Sequence, residues 1–138
     1  MIALDTNVLA RFYIEDPEDD EAIVQNALAK DLVAAGVALF VPLTVIAEFE
    51  WLARSYYKLP PAGFAKIVRH LAGLPHVTLE LTPRVMAAVQ DHLDGLDFSD
   101  ALHLRACDHC EAMFSFDDRK FARRARKLGL RPDVRVPA

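Results

Sequence analysis

Met1-Ile2-Ala3-Leu4-Asp5-Thr6-Asn7-Val8-Leu9 begins as an apolar run and stops at an acid, a hydroxyl and an amide in succession. The run is too short for a signal peptide or a membrane span. Flanked by helical patterns, it reads as the central, doubly covered strand of a parallel sheet. Ligands in such sheets gather beyond the carboxyl ends of the strands, which puts Asp5 where chemistry happens. The competing reading is that Thr6 or Asn7 merely caps the next helix. The rest of the chain decides between them.

Outward from that run, Val8 to Ile14 carries apolar residues at helical spacing. An acidic stretch with Pro17, Glu18, Asp19 and Asp20 then starts a second helix, through Ala22, Ile23, Ala27, Leu28 and Leu32, that stops near Gly36. Val37 to Val41, closed by Pro42, is a second strand. Thr44 begins a strong helix with Val45, Phe49, Leu52 and Tyr56 on one face, ended by Pro60-Pro61. Glu48 shares that face, where an acid costs stability unless a hydrogen bond, a snorkelling conformation or a metal satisfies it. Ala62 to Leu74 is a further helix, Val77 to Leu81 a strand, and Thr82-Pro83 opens a helix ending near Gly95. Another helix starts around Asp97 to Ser99. Met113 to Phe116 is a short strand running into Asp117-Asp118, followed by a basic helix closed by Gly129, and Pro132 to Val136 adds an edge strand. Strands separated by one or two helices make a three-layer α/β/α domain with a mainly parallel sheet.

At 138 residues the expectation is a single domain, 1–138, large enough for its own core. No apolar stretch approaches the roughly 20 residues of a membrane helix, so a soluble, cytoplasmic protein with no membrane partner is expected. Net charge is −4, and six acids fall within 15–21. Arg119, Lys120, Arg123, Arg124, Arg126, Lys127 and Arg131 lie within 119–131 with no acid among them, 7 of the chain's 16 basic residues. A solvated helix face explains any charge run, but this one-sided clustering also fits a polyanion partner. Cys107 and Cys110 form a CxxC with His103 one turn earlier. With no second pair to complete a zinc site, buried structural thiols in a reducing compartment are the simpler expectation.

Asp5 and Asp117 directly follow strands, Glu48 follows the second strand closely, and Asp100 opens a helix. Each has a structural reading. Asp97 with Asp100, and Ser115 with Asp118, have capping-box spacing, and the helix dipole alone favours Asp100. Four acids sharing one crevice repel unless protons or a cation hold them. Oxygen ligands of this kind suit Mg2+ or Mn2+. Such a cation activates water and stabilises charge on a phosphoryl group, which makes a metal-dependent nuclease the residue-level reading.

Leu4-Asp5-Thr6-Asn7-Val8-Leu9, Pro42-Leu43-Thr44-Val45-Ile46-Ala47-Glu48, Asp97-Phe98-Ser99-Asp100-Ala101-Leu102-His103 and Ser115-Phe116-Asp117 resemble, in order and spacing, the motifs of PIN-domain ribonucleases. The likeness is greatest to VapC-type toxins of toxin–antitoxin pairs. The resemblance implies that Asp5, Glu48, Asp100 and Asp117 form a Mg2+/Mn2+ site. It implies that Thr6 and Ser115 support that site and that Asn7 helps orient the first acid. It further implies RNA cleavage leaving a 5′-phosphate and a 3′-hydroxyl, a homodimer, and a small VapB-like antitoxin whose tail enters the acidic pocket. Ser115 stands where Thr is more usual, which keeps the hydroxyl. Cys110 stands where a small residue, often Gly, ends a helix, and would be strained if that position needs positive φ. Asp97 is either a fifth, outer acid or a cap, and Asp118 competes with Asp117 for the fourth position. Arg119, Lys120, Arg123 and Arg124 are the candidate RNA contacts.

Two other functions stay open on the sequence. One is a PIN-like module that binds RNA or a protein without cutting. The other is a haloacid-dehalogenase-type phosphatase, whose Asp nucleophile normally has an acid two residues on, where this chain has Asn7. Trp51, Tyr56 and Tyr57 form an aromatic cluster that is either ordinary core and surface or a dimer or antitoxin interface.

Overall fold

A computed structural model describes residues 1–138. Its elements run in the order β1 (Ile2–Ala3), α1 (Thr6–Tyr13), α2 (Asp20–Ala34), β2 (Leu39–Val41), α3 (Leu43–Ser55), α4 (Pro61–Gly73), β3 (Val77–Leu79) and α5 (Thr82–Leu93). They continue with α6 (Phe98–Arg105), β4 (Ala112–Phe114), a π-helical turn (Asp118–Ala122), α7 (Arg123–Lys127) and β5 (Asp133–Arg135). Backbone contacts divide the chain into two units, Met1–Thr82 and Pro83–Ala138. No helix is long and apolar enough to cross a membrane.

The first unit holds a parallel sheet in the order β1-β2-β3, with Ile2 opposite Leu39 and Leu39 opposite Val77. The middle strand is β2, whose Leu39 and Val41 are fully buried. The expectation that the first strand is central is therefore corrected: within this sheet β1 is an edge, and Ile2 is half exposed. An apolar run records that a strand is sheltered somewhere along its length, not how many ladders it joins; here only Leu4, just past the strand, is buried. Ile46 and Phe49 of α3 meet the core with Phe64, Val68 and Leu71 of α4, the two rings 6.1 Å apart. Each such side chain contributes about 1.5–3 kcal/mol by leaving water.

The inward face of α3 differs from the expected one. Ile46, Phe49, Glu50 and Ala53 are buried, whereas Glu48 and Tyr56 are exposed. The buried acid is tolerated because Arg54, one turn on, donates to both Glu50 oxygens at 3.3 and 3.2 Å. On α2 only Ala22 and Ala29 are buried, and Ile23, Val24 and Leu28 face solvent.

The second unit pairs β4 with β5 in parallel, Phe114 opposite Arg135, so the expected last strand is present. Val85, Val89, Leu96, Phe98, Leu104, Phe121 and Val134 are buried in it. Asp91 is also buried, and the Arg105 guanidinium grips its two oxygens at 2.7 and 2.8 Å. The basic segment is not one regular helix. Ala122 N–H donates to the Asp117 carbonyl five residues back, which makes the first turn π-helical before α7 begins. Gly129 closes α7 with φ of 67°, where a side chain would be strained. Cys107 and Cys110 are free thiols in the turn after α6, the first half-buried and the second exposed, so the expected burial of the pair is corrected: a surface turn, not the core, holds them. Neither has positive φ, so Cys110 carries no such strain.

Candidate active site

In the first unit the chain leaves β1 and turns at once into α1, with Asp5 as the N-cap. Its Oδ1 accepts the Thr6 N–H at 2.8 Å, so the cap is the acid itself rather than Thr6 or Asn7. Thr6 is buried, and its hydroxyl donates a short hydrogen bond to Glu48 Oε1 on α3. Asp5, Thr6, Asn7 and Glu48 line one recess of about 230 Å3, with Trp51 and Leu52 as its apolar wall. Trp51 is 58% exposed, off the buried face as the sequence indicates.

The acids of the second unit sit at two helix starts, those of α6 and of the π-helical turn. Asp97 caps α6, its Oδ2 accepting the Asp100 N–H at 3.3 Å, so its observed role is that of a cap. Asp100 lies in the first turn of α6 and is half-buried. Burial pushes its carboxyl above the usual range, and the charges of Asp97 and Asp117 push it the same way. His103 and Arg124 act against them without cancelling the rise. Ser115 N–H donates to the Arg135 carbonyl at 3.0 Å, extending the ladder to β5 by one rung. The Ser115 hydroxyl then accepts the Asp117 N–H at 3.0 Å, and Asp117 Oδ1 accepts the Lys120 N–H at 2.9 Å. The capping pair read as Ser115 with Asp118 is thus replaced: Asp117 caps the π-helical turn, and Asp118 lies exposed in its first turn.

Arg119, Lys120, Arg123, Arg124, Arg126, Lys127 and Arg131 are all exposed. The ion pairs of the chain are made by other residues. Glu50 and Asp91 are acids that the sequence reading passed over. Both are buried and paired with arginine, so they hold the fold and offer nothing to a ligand. Only the Glu50–Arg54 spacing of four was a visible signal.

The PIN domain profile matches residues 2–127 of the chain. The chain belongs to the PIN-domain family. Its parallel strands and helices have the three-layer α/β/α PIN-like fold class expected from the sequence. PIN domains are generally nucleases and typically use divalent metal ions. No curated protein matches the chain.

Whether these residues suit such an ion can be tested on their chemistry. In neither unit do three His, Cys, Asp or Glu side chains already stand as a metal cage. The donors are nonetheless of the right kind: carboxylates and hydroxyls, without thiolate or imidazole among them. Asp100, held partly out of water near two other acids, is a carboxylate that gains from a nearby cation. The donor set fits a hard divalent ion.

Proposed function

We propose that this PIN domain is a Mg2+- or Mn2+-dependent endoribonuclease, and that it serves as the toxin of a toxin–antitoxin pair. The observation that carries the nuclease reading is the half-buried Asp100 near Asp97 and Asp117, with seven exposed cations following in residues 119–131, Arg124 among them acting on Asp100. Acids that crowd together at a cost in free energy need a role that offsets it, and a polyanionic substrate explains the cations. In this reading Asp5, Glu48, Asp100 and Asp117 together hold the ion, within one functional domain spanning 1–138. A bound ion of this kind supplies an activated water and charge neutralisation at phosphorus.

The chain's own residues do the positioning. Thr6 holds Glu48 through its hydroxyl and Asp5 through its backbone N–H. Ser115 holds the backbone of Asp117, and Asp97 holds that of Asp100. Arg119, Lys120, Arg123 and Arg124 bind phosphates of the RNA strand.

The toxin role, a cytoplasmic location, a homodimer and a VapB-like antitoxin rest on the resemblance of the four motifs to VapC-type toxins. An antitoxin needs apolar surface to cover, and Ile23, Val24 and Leu28 on α2 are 50–62% exposed. Trp51 offers a second such contact. Cleavage of total RNA with Mg2+ or Mn2+ is the test, comparing wild type, Asp100→Asn and an EDTA control. Cleavage by wild type alone supports the reading. Metal-independent cleavage overturns the metal mechanism, and no cleavage by folded protein on any RNA overturns the nuclease reading in favour of a binding module.

A further inference from the structure

Phe114 and Phe116 are 68% and 84% exposed, and they stand immediately before Asp117. Two phenyl rings left in water beside a carboxylate cluster have no account in the fold: neither adds to a core, and each exposes apolar area at a cost. Their backbone, by contrast, is held firmly. Phe114 is laddered opposite Arg135, Ser115 bonds to the Arg135 carbonyl, and the Ser115 hydroxyl and the Asp117 carboxylate pin the chain on either side of Phe116. Asp118 N–H also donates to the Phe116 carbonyl at 3.1 Å. Phe114 ends β4 and Phe116 stands at the bend two residues on, so the two exposed rings lie close together in the chain just ahead of Asp117. Phe114 further walls a recess of about 310 Å3 with Glu111, Ala112 and Arg135, whose guanidinium and carboxylate converge on one space.

We propose that Phe114 and Phe116 are a stacking platform for unpaired bases of the RNA strand next to the bond that is cut. The proposal deepens the nuclease reading and rests on it. Bases have flat apolar faces and follow a backbone of phosphates; the segment presents flat rings followed by Arg119, Lys120, Arg123 and Arg124, all exposed. Single-strand binding sites combine these two features. A protein partner fits less well, because the cores of protein interfaces are depleted in charge and these rings are bordered by it. A base stacked on the ring of Phe116, the residue before Asp117, would set the register of the scissile phosphate. Base-paired RNA cannot offer such a base, so the platform selects single strands and loops.

The experiment measures binding apart from cleavage. Fluorescence anisotropy in EDTA compares a labelled oligouridylate with an abasic oligomer of equal length, using wild type, Phe114→Ala, Phe116→Ala and Phe116→Trp. Both rings are exposed, so the variants should fold, and circular dichroism checks it. The expected result is weaker oligouridylate binding by roughly 5- to 150-fold in each alanine variant. Abasic binding should stay unchanged, and Phe116→Trp should bind as wild type or better. Equal binding of both oligomers by wild type, or no effect of either alanine change, overturns the platform while leaving a nuclease that binds phosphates alone. A wild type that binds neither oligomer and cuts no RNA overturns the nuclease reading with it. A concentration-dependent sedimentation shift that Phe116→Ala abolishes would assign the rings to a self-association surface instead, and would overturn the proposal.

Discussion

The Thr6 hydroxyl donates its hydrogen bond to Glu48 across 42 residues of sequence, joining the first turn of α1 to α3. Thr6 is buried while Glu48 is exposed, so the bond orients an acid that water could otherwise disperse over many rotamers. Removing the hydroxyl with Thr6→Val keeps the buried volume and frees Glu48 to turn outward. Melting temperature should change little, since the carboxylate recovers its hydrogen bonds from water. Metal-dependent cleavage and Mn2+ affinity should fall about 10- to 100-fold, the usual cost of losing a residue that orients a ligand, and Thr6→Ser should restore most of both. Unchanged cleavage in Thr6→Val would mean that Glu48 needs no fixed orientation.

Asp100 gives a prediction with a definite pH sign. Its folded-state carboxyl is raised by burial first, then by Asp97 and Asp117. In the unfolded chain it ionises near the ordinary value, about 3.9. The folded state therefore resists ionisation, and stability present below the unfolded pKa is lost as pH rises through the folded one. Metal-free Asp100→Asn should melt above wild type at pH 7, and the gap should close below about pH 4. Added Mn2+ should raise the wild-type melting temperature at pH 7 and not that of the variant. A variant that melts lower than wild type at neutral pH would show that the raised carboxyl is stabilised by something the acids around it do not explain.

How much of this was legible in the residues follows from what each pattern encodes. The positions of Asp5 and Asp117 shortly after β1 and β4 were legible because an acid closing an apolar run is a local signal. The closing residues Gly36 and Gly129 were legible for the same reason, with φ of 72° and 67° in the structure. The face of α3 was not. Apolar side chains occur around most of that helix, so a 3.6-residue period fits more than one stripe, and the wrong one placed Glu48 inside, whereas Glu50 is the buried acid. Nor did the sequence reveal the π-helical turn, because it depends on how Ala122 reaches back to Asp117 rather than on any residue's preference. Which strand is central was equally hidden, since ladder partners are chosen by the fold and not written in β1.

The buried pair Asp91–Arg105 should be asymmetric under mutation. Asp91 is almost sealed, with 5% of its side chain exposed, whereas Arg105 keeps 35%. Arg105→Ala strands a carboxylate in the second unit's core, a change that costs about 3–5 kcal/mol for such pairs. Asp91→Ala leaves a guanidinium that can swing toward water, so it should cost distinctly less. Urea unfolding of the two variants measures the difference. Equal losses would mean that Arg105 is as tightly confined as its partner.

The basic segment makes a prediction about salt. Arg123 and Arg124 are exposed and form no ion pair with an acid, so neutralising them should leave the fold intact. Each cation that contacts a phosphate releases counterions, and losing it lowers the salt slope of binding by roughly 0.7 for a single strand. Arg123→Gln with Arg124→Gln should therefore weaken RNA binding similarly for every sequence tested and flatten the slope by roughly 1.4. Arg124 also opposes the rise in the Asp100 carboxyl, so its loss should push that carboxyl further up. The single change Arg124→Gln should then shift the acid limb of the cleavage profile to higher pH, while Arg123→Gln should not. A shift in both, or in neither, would separate the basic face from the acids and leave it a purely electrostatic handle.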